Sequence, residues 1–255
     1  LQEVMRHLQN VSFTDSPPEL SREVHKIIRE ITGSKDPYKK VKETSNELEK
    51  KKYSSLKKFV TESDDPLLTA IKLSIVGNVI DFGTTNRFNV NEMIDQAIQQ
   101  ELDVKSYLHF TCTLERSKTI LFLADNAGEI FYDKLLLEEL AKKQKQITYV
   151  VKANPILNDA LTEDTKFAGI DKLAKIVEWD SGQKLSSPGI ILSYASEKFL
   201  EIFKSSDMVL SKGQGNYEGL SDIDRDVFFM LVIKCPLVAQ DINGEVSKLI
   251  LKVKK

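Results

Sequence analysis

Two rhythms of apolar and polar residues divide the chain. Up to about residue 105, apolar positions recur at helical spacing with almost no alternation, so this part is expected to be all helical. Ser21 is a candidate cap for a helix through Val24, Ile27, Ile28 and Ile31 that ends at Gly33. Asp36-Pro37-Tyr38 opens a highly charged helix running through Leu48 to about Lys52, and the charges from Lys35 to Lys52 read as a solvated face. Pro66 opens another helix, with Leu67, Ala70, Ile71, Ser74, Ile75 and Asn78 along one stripe. That stripe delivers Gly77-Asn78-Val79-Ile80-Asp81-Phe82-Gly83 to the helix end, where the glycines serve as a C-cap or Asn78 or Asp81 faces the second half.

From Thr119 the rhythm becomes strand and helix in alternation. Strands are expected at 119–124, 147–151, 175–178, 189–192, 207–210 and 227–233, with an edge strand at Leu249 to Val253. Helices are expected at 129–143, at Glu163 to Phe167, and at 194–204, where Tyr194, Phe199, Ile202 and Phe203 supply the apolar face. This is the α/β signature, and it implies right-handed crossovers and a mostly parallel sheet covered on both faces, doubly wound.

Polar clusters stand at four of the expected strand ends. Asp125-Asn126-Ala127-Gly128-Glu129 follows the apolar run from Ile120 to Ala124, and its acid and amide suit either a helix cap or a metal. Lys152-Ala153-Asn154-Pro155-Ile156-Leu157-Asn158-Asp159 follows the next strand, either as a Pro-stiffened loop with Asx turns or as a source of Asp159 for the same point. Two carboxylates and an amide oxygen form the all-oxygen set preferred by hard cations such as Mg²⁺ or Mn²⁺. Ser211-Lys212-Gly213-Gln214-Gly215-Asn216-Tyr217-Glu218 offers glycines that let backbone N–H groups approach an anion, beside a lysine, or serves only turn geometry. It is neither a Walker A motif nor G-x-G-x-x-G. Lys234-Cys235-Pro236 adds a cation, or a solvated strand end. Together the clusters suggest a metal facing a phosphate, with donors from 212–216 and Lys234 able to neutralise a phosphoryl group.

Composition narrows the partners. The chain has 255 residues and 41% apolar content, enough to bury a real core as one large domain or two modest ones. Lys and Arg total 36 against 38 Asp and Glu, so no basic field recommends nucleic acid or an anionic membrane. No apolar run approaches the roughly 20 residues that span a bilayer. The opening residues lack the cationic region and apolar core of a signal peptide. Cys112 and Cys235 lie far apart, indicating neither a zinc cluster nor a disulfide framework, and a reducing cytoplasm fits best. His7, His25 and His109 form no Ser-His-Asp or Cys-His set. Oligomeric state is not legible.

Taken in order, Gly77 to Gly83, Asp125 to Glu129, Asn158-Asp159-Ala160, Lys212 to Glu218 and Lys234-Cys235-Pro236 resemble the metal-dependent damage-control phosphatases, formerly domain of unknown function 89. The likeness runs from about Asp36 to the C-terminal region and is nearest to the small archaeal and bacterial branch. It implies a helical N-terminal part, residues 1–105, packed on a Rossmann-like α/β domain, residues 106–255. It also implies metal ligation by Asp125, Asn126 and Asp159, substrate contact by Gly213, Gln214, Gly215 and Asn216, and phosphate binding by Lys234; Lys212 and Asn78 are added here. Asp125, Asp159 and Lys234 would then be catalytic, with Mg²⁺, Mn²⁺, Co²⁺ or Ni²⁺ as cofactor and a small phosphorylated metabolite as substrate. Some members of that branch carry a C-x-x-C pair near the N-terminus, which this sequence does not show. Direct attack by water and an aspartyl phosphate on Asp125 both remain open. The competing reading is a Rossmann-like nucleotide or cofactor binder such as a methyltransferase, against which stands the single Gly128 in the first strand-helix turn. A non-catalytic module with a structural metal is the third.

Overall fold

The computed structural model describes residues 1–12, 14–77, 95, 99–180 and 185–254. Helices α1 (Gln2–Leu8), α2 (Pro17–Thr32), α3 (Lys39–Glu62), α4 (Pro66–Gly77) and α5 (Val104–Arg116) precede the sheet. α2 starts a turn before Ser21, because Ser16 and Glu19 close a capping box and Pro17 occupies the first helical position, where a missing N–H costs nothing. It ends at Gly33, whose φ of 66° is the left-handed cap expected of glycine.

The charged helix departs most from expectation. α3 continues ten residues past Lys52, and it is not simply a solvated face, since Lys42, Asn46, Glu49, Leu56 and Val60 are buried along one stripe. Their spacing of three and four residues is helical, but its first half is polar, so an apolar count does not find it.

β1 (Thr119–Leu123), α6 (Ile130–Lys142), β2 (Gln146–Lys152), α7 (Thr162–Ala168) and β3 (Lys175–Trp179) run outward in one direction. α8 (Glu197–Ser205) carries the chain back to β4 (Met208–Lys212), followed by α9 (Gln214–Leu220), β5 (Val227–Val232), α10 (Pro236–Ile242) and β6 (Leu249–Lys254). The sheet order is β3-β2-β1-β4-β5-β6, parallel except for β6, which pairs antiparallel with β5. Strand order thus reverses between β1 and β4, and a ligand crevice is expected outside the carboxyl ends of those two strands.

Alternation along each strand sorts the core into two layers. Ile120, Phe122, Tyr149, Leu210 and Met230 face α3, α4, α5 and α6 in one cluster, while Leu121, Leu123, Val209, Phe229 and Leu231 face α8, α9 and α10 in the other. The mostly parallel, doubly covered sheet expected from the sequence is therefore present. The strand expected at 189–192 is not. Ile190 sinks into the second layer and donates its N–H to the Asn216 side chain, and Leu192–Tyr194 forms a short 3₁₀ turn. Its apolar run reflects burial of a loop rather than a place in the sheet. Among the described residues no helix is long and apolar enough to cross a membrane.

Candidate active site

The end of β1 and the loop after β2 are stitched together through backbone. Ala160 N–H donates to the Asp125 carbonyl at 2.9 Å, Ala127 N–H to the Asn158 carbonyl at 2.9 Å, and Lys152 N–H to the Ala160 carbonyl at 3.0 Å. Asn126 and Asp159 pair as an isolated antiparallel bridge. The convergence of Asp125, Asn126 and Asp159 expected from neighbouring strands is thus a matter of direct hydrogen bonding. Gly128 allows the turn, with φ of 80° and so little room that a Cβ would lie 2.2 Å from Ser45 Oγ on α3.

Asp159 is the electrostatic focus. It is 2% exposed, and its buried Oδ2 has no hydrogen-bond partner among the described residues. Lys152 Nζ stands 3.6 Å from that oxygen, beneath the Trp179 ring and donating to the Pro188 carbonyl at 3.2 Å. Burial, opposed by Lys152 and reinforced by the Asp125 charge, pushes the Asp159 carboxyl well above the usual range. Burial likewise lowers the Lys152 amine, against the pull of Asp159. Asn126 donates Nδ2 to Asp125 Oδ2 at 2.9 Å and to Glu129 Oε2 at 3.1 Å, which uses both amide protons and leaves its Oδ1 outside these bonds.

On the other side of the crevice the glycine segment is spent on packing. Gly213, with φ of 80°, comes so close to Asp125 that a Cβ would fall 1.9 Å from Oδ2. A Cβ on Gly215 would meet the Pro188 carbonyl at 2.9 Å, and one on Gly189 would meet the Gly215 carbonyl at 2.0 Å. The room these glycines provide is therefore filled by protein, rather than left for an anion alone. Asn216, expected to contact substrate, is fully buried. Its Nδ2 donates to the Ala124 and Lys212 carbonyls at 3.0 and 2.8 Å, and its Oδ1 accepts from Ile190 N–H at 3.0 Å. Its side chain fastens β1, β4 and the 186–190 loop. Gln214 donates to Glu218 at 2.8 Å and accepts from Lys234 N–H at 3.3 Å, which holds the β5 end beside the segment. Lys234 is exposed there. Lys212, expected at a phosphate, instead turns into the core with no exposed surface, where it meets Glu129, Asp133 and the Ser74 carbonyl. Asn78 and Asp81 lie outside the described residues.

An oxygen-only donor set fits a hard divalent cation, and the orphaned buried Oδ2 of Asp159 is the kind of atom such an ion satisfies. Among the described residues no group of three or more His, Cys, Asp or Glu that could hold a metal ion occurs.

The sequence profile described as the Damage-control phosphatase ARMT1-like domain matches residues 1–250. The chain belongs to that family. It is 33% identical to a protein of Archaeoglobus fulgidus named damage-control phosphatase, over 96% of this chain and 85% of that one. A damage-control phosphatase of Pyrococcus horikoshii is 34% identical over 83% and 72% of the two chains, and an uncharacterised protein of Methanocaldococcus jannaschii is 37% identical over 88% and 75%. The fold agrees with the crystal structure of a DUF89 family protein from P. horikoshii, with a TM-score of 0.85, 28% identity, and coverage of 100% of this chain and 91% of that one.

Several residues at this candidate site carry no sequence signal of their own. Asn46 on α3 accepts from Gly128 N–H at 2.7 Å and donates to Asp164 Oδ1 at 2.6 Å, so the helical half ties the turn after β1 to the first turn of α7. Lys152 and Glu129 sit inside the quoted motifs and meet Asp159 and Asn126 there, but Lys152 also donates to the Pro188 carbonyl and Glu129 accepts from Lys212 on β4. Residues 189–192, which follow Pro188 and contact Asn216 through Ile190, were expected to form a strand.

Proposed function

We propose that the chain is a metal-dependent phosphomonoesterase acting on small phosphorylated metabolites. The observation that carries this reading is the buried Oδ2 of Asp159, without a hydrogen bond and 3.6 Å from the Lys152 ammonium, set against Asp125 and Asn126 at the point where strand order reverses. The phosphatase names of the Archaeoglobus and Pyrococcus relatives support it.

In this reading Asp125, Asn126 and Asp159 hold a divalent cation such as Mg²⁺, Mn²⁺, Co²⁺ or Ni²⁺. A cation bound there supplies Lewis-acid chemistry, drawing charge from phosphoryl oxygens and making water more acidic. The backbone N–H groups of Gln214 to Asn216 and the Lys234 ammonium face the phosphoryl group from the other strand pair and stabilise its charge, the Gly213 N–H being spent on the Met230 carbonyl. Side chains of Asn216 and Lys212 have no part in holding substrate, since both are consumed within the protein. The loop pairs are rigidly tied, so the acids are positioned before substrate arrives and little reorganisation is left for the reaction.

Asp125→Asn and Asp159→Asn, made singly, are each expected to lower metal-dependent hydrolysis of a panel of metabolite phosphates by roughly 10³-fold or more. Full metal-dependent activity in either variant would remove the site from consideration. A wild-type protein inactive on the whole panel with every metal would point instead to a binding module.

A further inference from the structure

Lys212 was expected at the substrate, but its surroundings assign it another task. Its Nζ makes an ion pair with Glu129, donates to Asp133 Oδ1 at 2.7 Å and donates to the Ser74 carbonyl of α4 at 2.8 Å. Asp133 is further held by Ser74 Oγ–H at 2.7 Å and Tyr149 O–H at 2.8 Å. The amine is the countercharge that lets Glu129 and Asp133 stand side by side in the interior. With one oxygen of Glu129 on Lys212, the other accepts from Asn126 Nδ2 at 3.1 Å and from Asn126 N–H at 3.4 Å.

Asn126 has two amide protons, one on Glu129 and one on Asp125 Oδ2 at 2.9 Å. A carboxamide rotated by half a turn would set its carbonyl oxygen against two carboxylate oxygens. The orientation that keeps Oδ1 out of these bonds is therefore set by the Asp125 and Glu129 carboxylates together, and Glu129 is held by Lys212.

We infer that Lys212 is a positioning residue for the cation site, acting through Glu129 to keep the Asn126 carbonyl oxygen, rather than its NH₂ group, turned toward the cation. The inference rests on the proposed cation site at Asp125, Asn126 and Asp159. It makes a strand-end lysine beside a glycine turn part of the metal side of the crevice. It also couples α4, through the Ser74 carbonyl, to the orientation of a ligand.

The test is Mn²⁺ affinity, measured by calorimetry on the intact metal-free chain, alongside the KM for p-nitrophenyl phosphate at saturating Mn²⁺. Lys212→Met is expected to weaken Mn²⁺ binding by roughly 10–100-fold, the usual cost of losing an outer-shell partner, while KM at saturating metal is unchanged. Unchanged Mn²⁺ affinity with a raised KM would make the amine a phosphate ligand and overturn the inference. Should Lys212→Met fail to fold, Glu129→Gln decides. Its oxygen is required by Lys212, so its NH₂ group faces Asn126 Nδ2, donor against donor, and the acceptor that helps hold the Asn126 amide is lost. The same loss of Mn²⁺ affinity is expected, and none would overturn the inference. A wild-type chain that binds no Mn²⁺ at all removes the cation reading itself, an outcome distinct from variants that bind as tightly as wild type.

Discussion

On the acid side of the crevice Asp159 keeps a buried oxygen without a hydrogen-bond partner, while on the glycine side Asn216, equally buried, has both ends of its amide bonded to backbone. Each comes from a short polar motif at a strand's carboxyl end. They differ because Asp159 lies in a loop that closes onto β1 through main-chain bonds, leaving its side chain over, whereas the 213–216 segment must fasten a loop that has no ladder of its own. A buried acceptor without a hydrogen bond costs about 1–3 kcal/mol, offset here in part by the Lys152 ammonium 3.6 Å away, whereas full satisfaction marks scaffold. The glycines fit this contrast, because the space beside Gly213 holds the Asp125 carboxylate and the space beside Gly215 holds the Pro188 carbonyl.

The contrast is broken most directly at Gly213, where the two sides touch. Gly213→Ala combines a left-handed backbone with a Cβ 1.9 Å from Asp125 Oδ2, so a loss of roughly 2–4 kcal/mol in denaturant unfolding is expected, with a displaced Asp125. A variant with parental stability and Mn²⁺ affinity would show that the two loops are not packed this tightly. Asn216→Ala should cost roughly 2–3 kcal/mol by stranding the Ile190 N–H and the Ala124 and Lys212 carbonyls, with little change in KM for a phosphate ester. Parental stability combined with a raised KM would return Asn216 to the substrate.

The smallest effect is expected at the opposite end of the strands, where Asp207 is a carboxylate of the satisfied kind. It accepts from Thr119 and Lys118 N–H, both at 2.8 Å, and from Thr119 Oγ1–H at 3.0 Å, and the backbone bond from Thr119 leads in holding its carboxyl below the usual value. A lowered folded pKa means stability present above the unfolded value near 3.9 and lost as pH falls through the folded one. Asp207→Asn should therefore lower Tm by roughly 1–2 °C at pH 7, and the gap to wild type should close below about pH 4. A gap that persists at low pH would assign the effect to something other than the carboxylate.

Much of this architecture was written in local pattern. The continuous burial of β1, the runs that became β2, β4 and β5, the Gly33 cap and the Asp125, Asn126 and Asp159 meeting point all follow from residues within a few positions of one another, or from adjacent parallel strands. Helix α3 did not, because its inward stripe of Lys42, Asn46 and Glu49 is polar and is recognisable as buried only once Gly128, Asp164 and Tyr132 are packed against it. Ile190 was misread for the converse reason, since an apolar run shows that a segment is buried and not what its backbone is bonded to.

The sequence by itself therefore determined the alternation of elements, the chemistry available at each strand end and the family to which the chain belongs. Tertiary structure decided which of those polar groups are hydrogen-bonded within the protein. Lys212 and Lys234 are alike as residues and both close a strand. Yet one meets two buried carboxylates from α6 and its N-terminal edge, and the other stands exposed beside Gln214. A side chain's role depends on which charges the fold brings within hydrogen-bond reach, and those partners are remote in the chain.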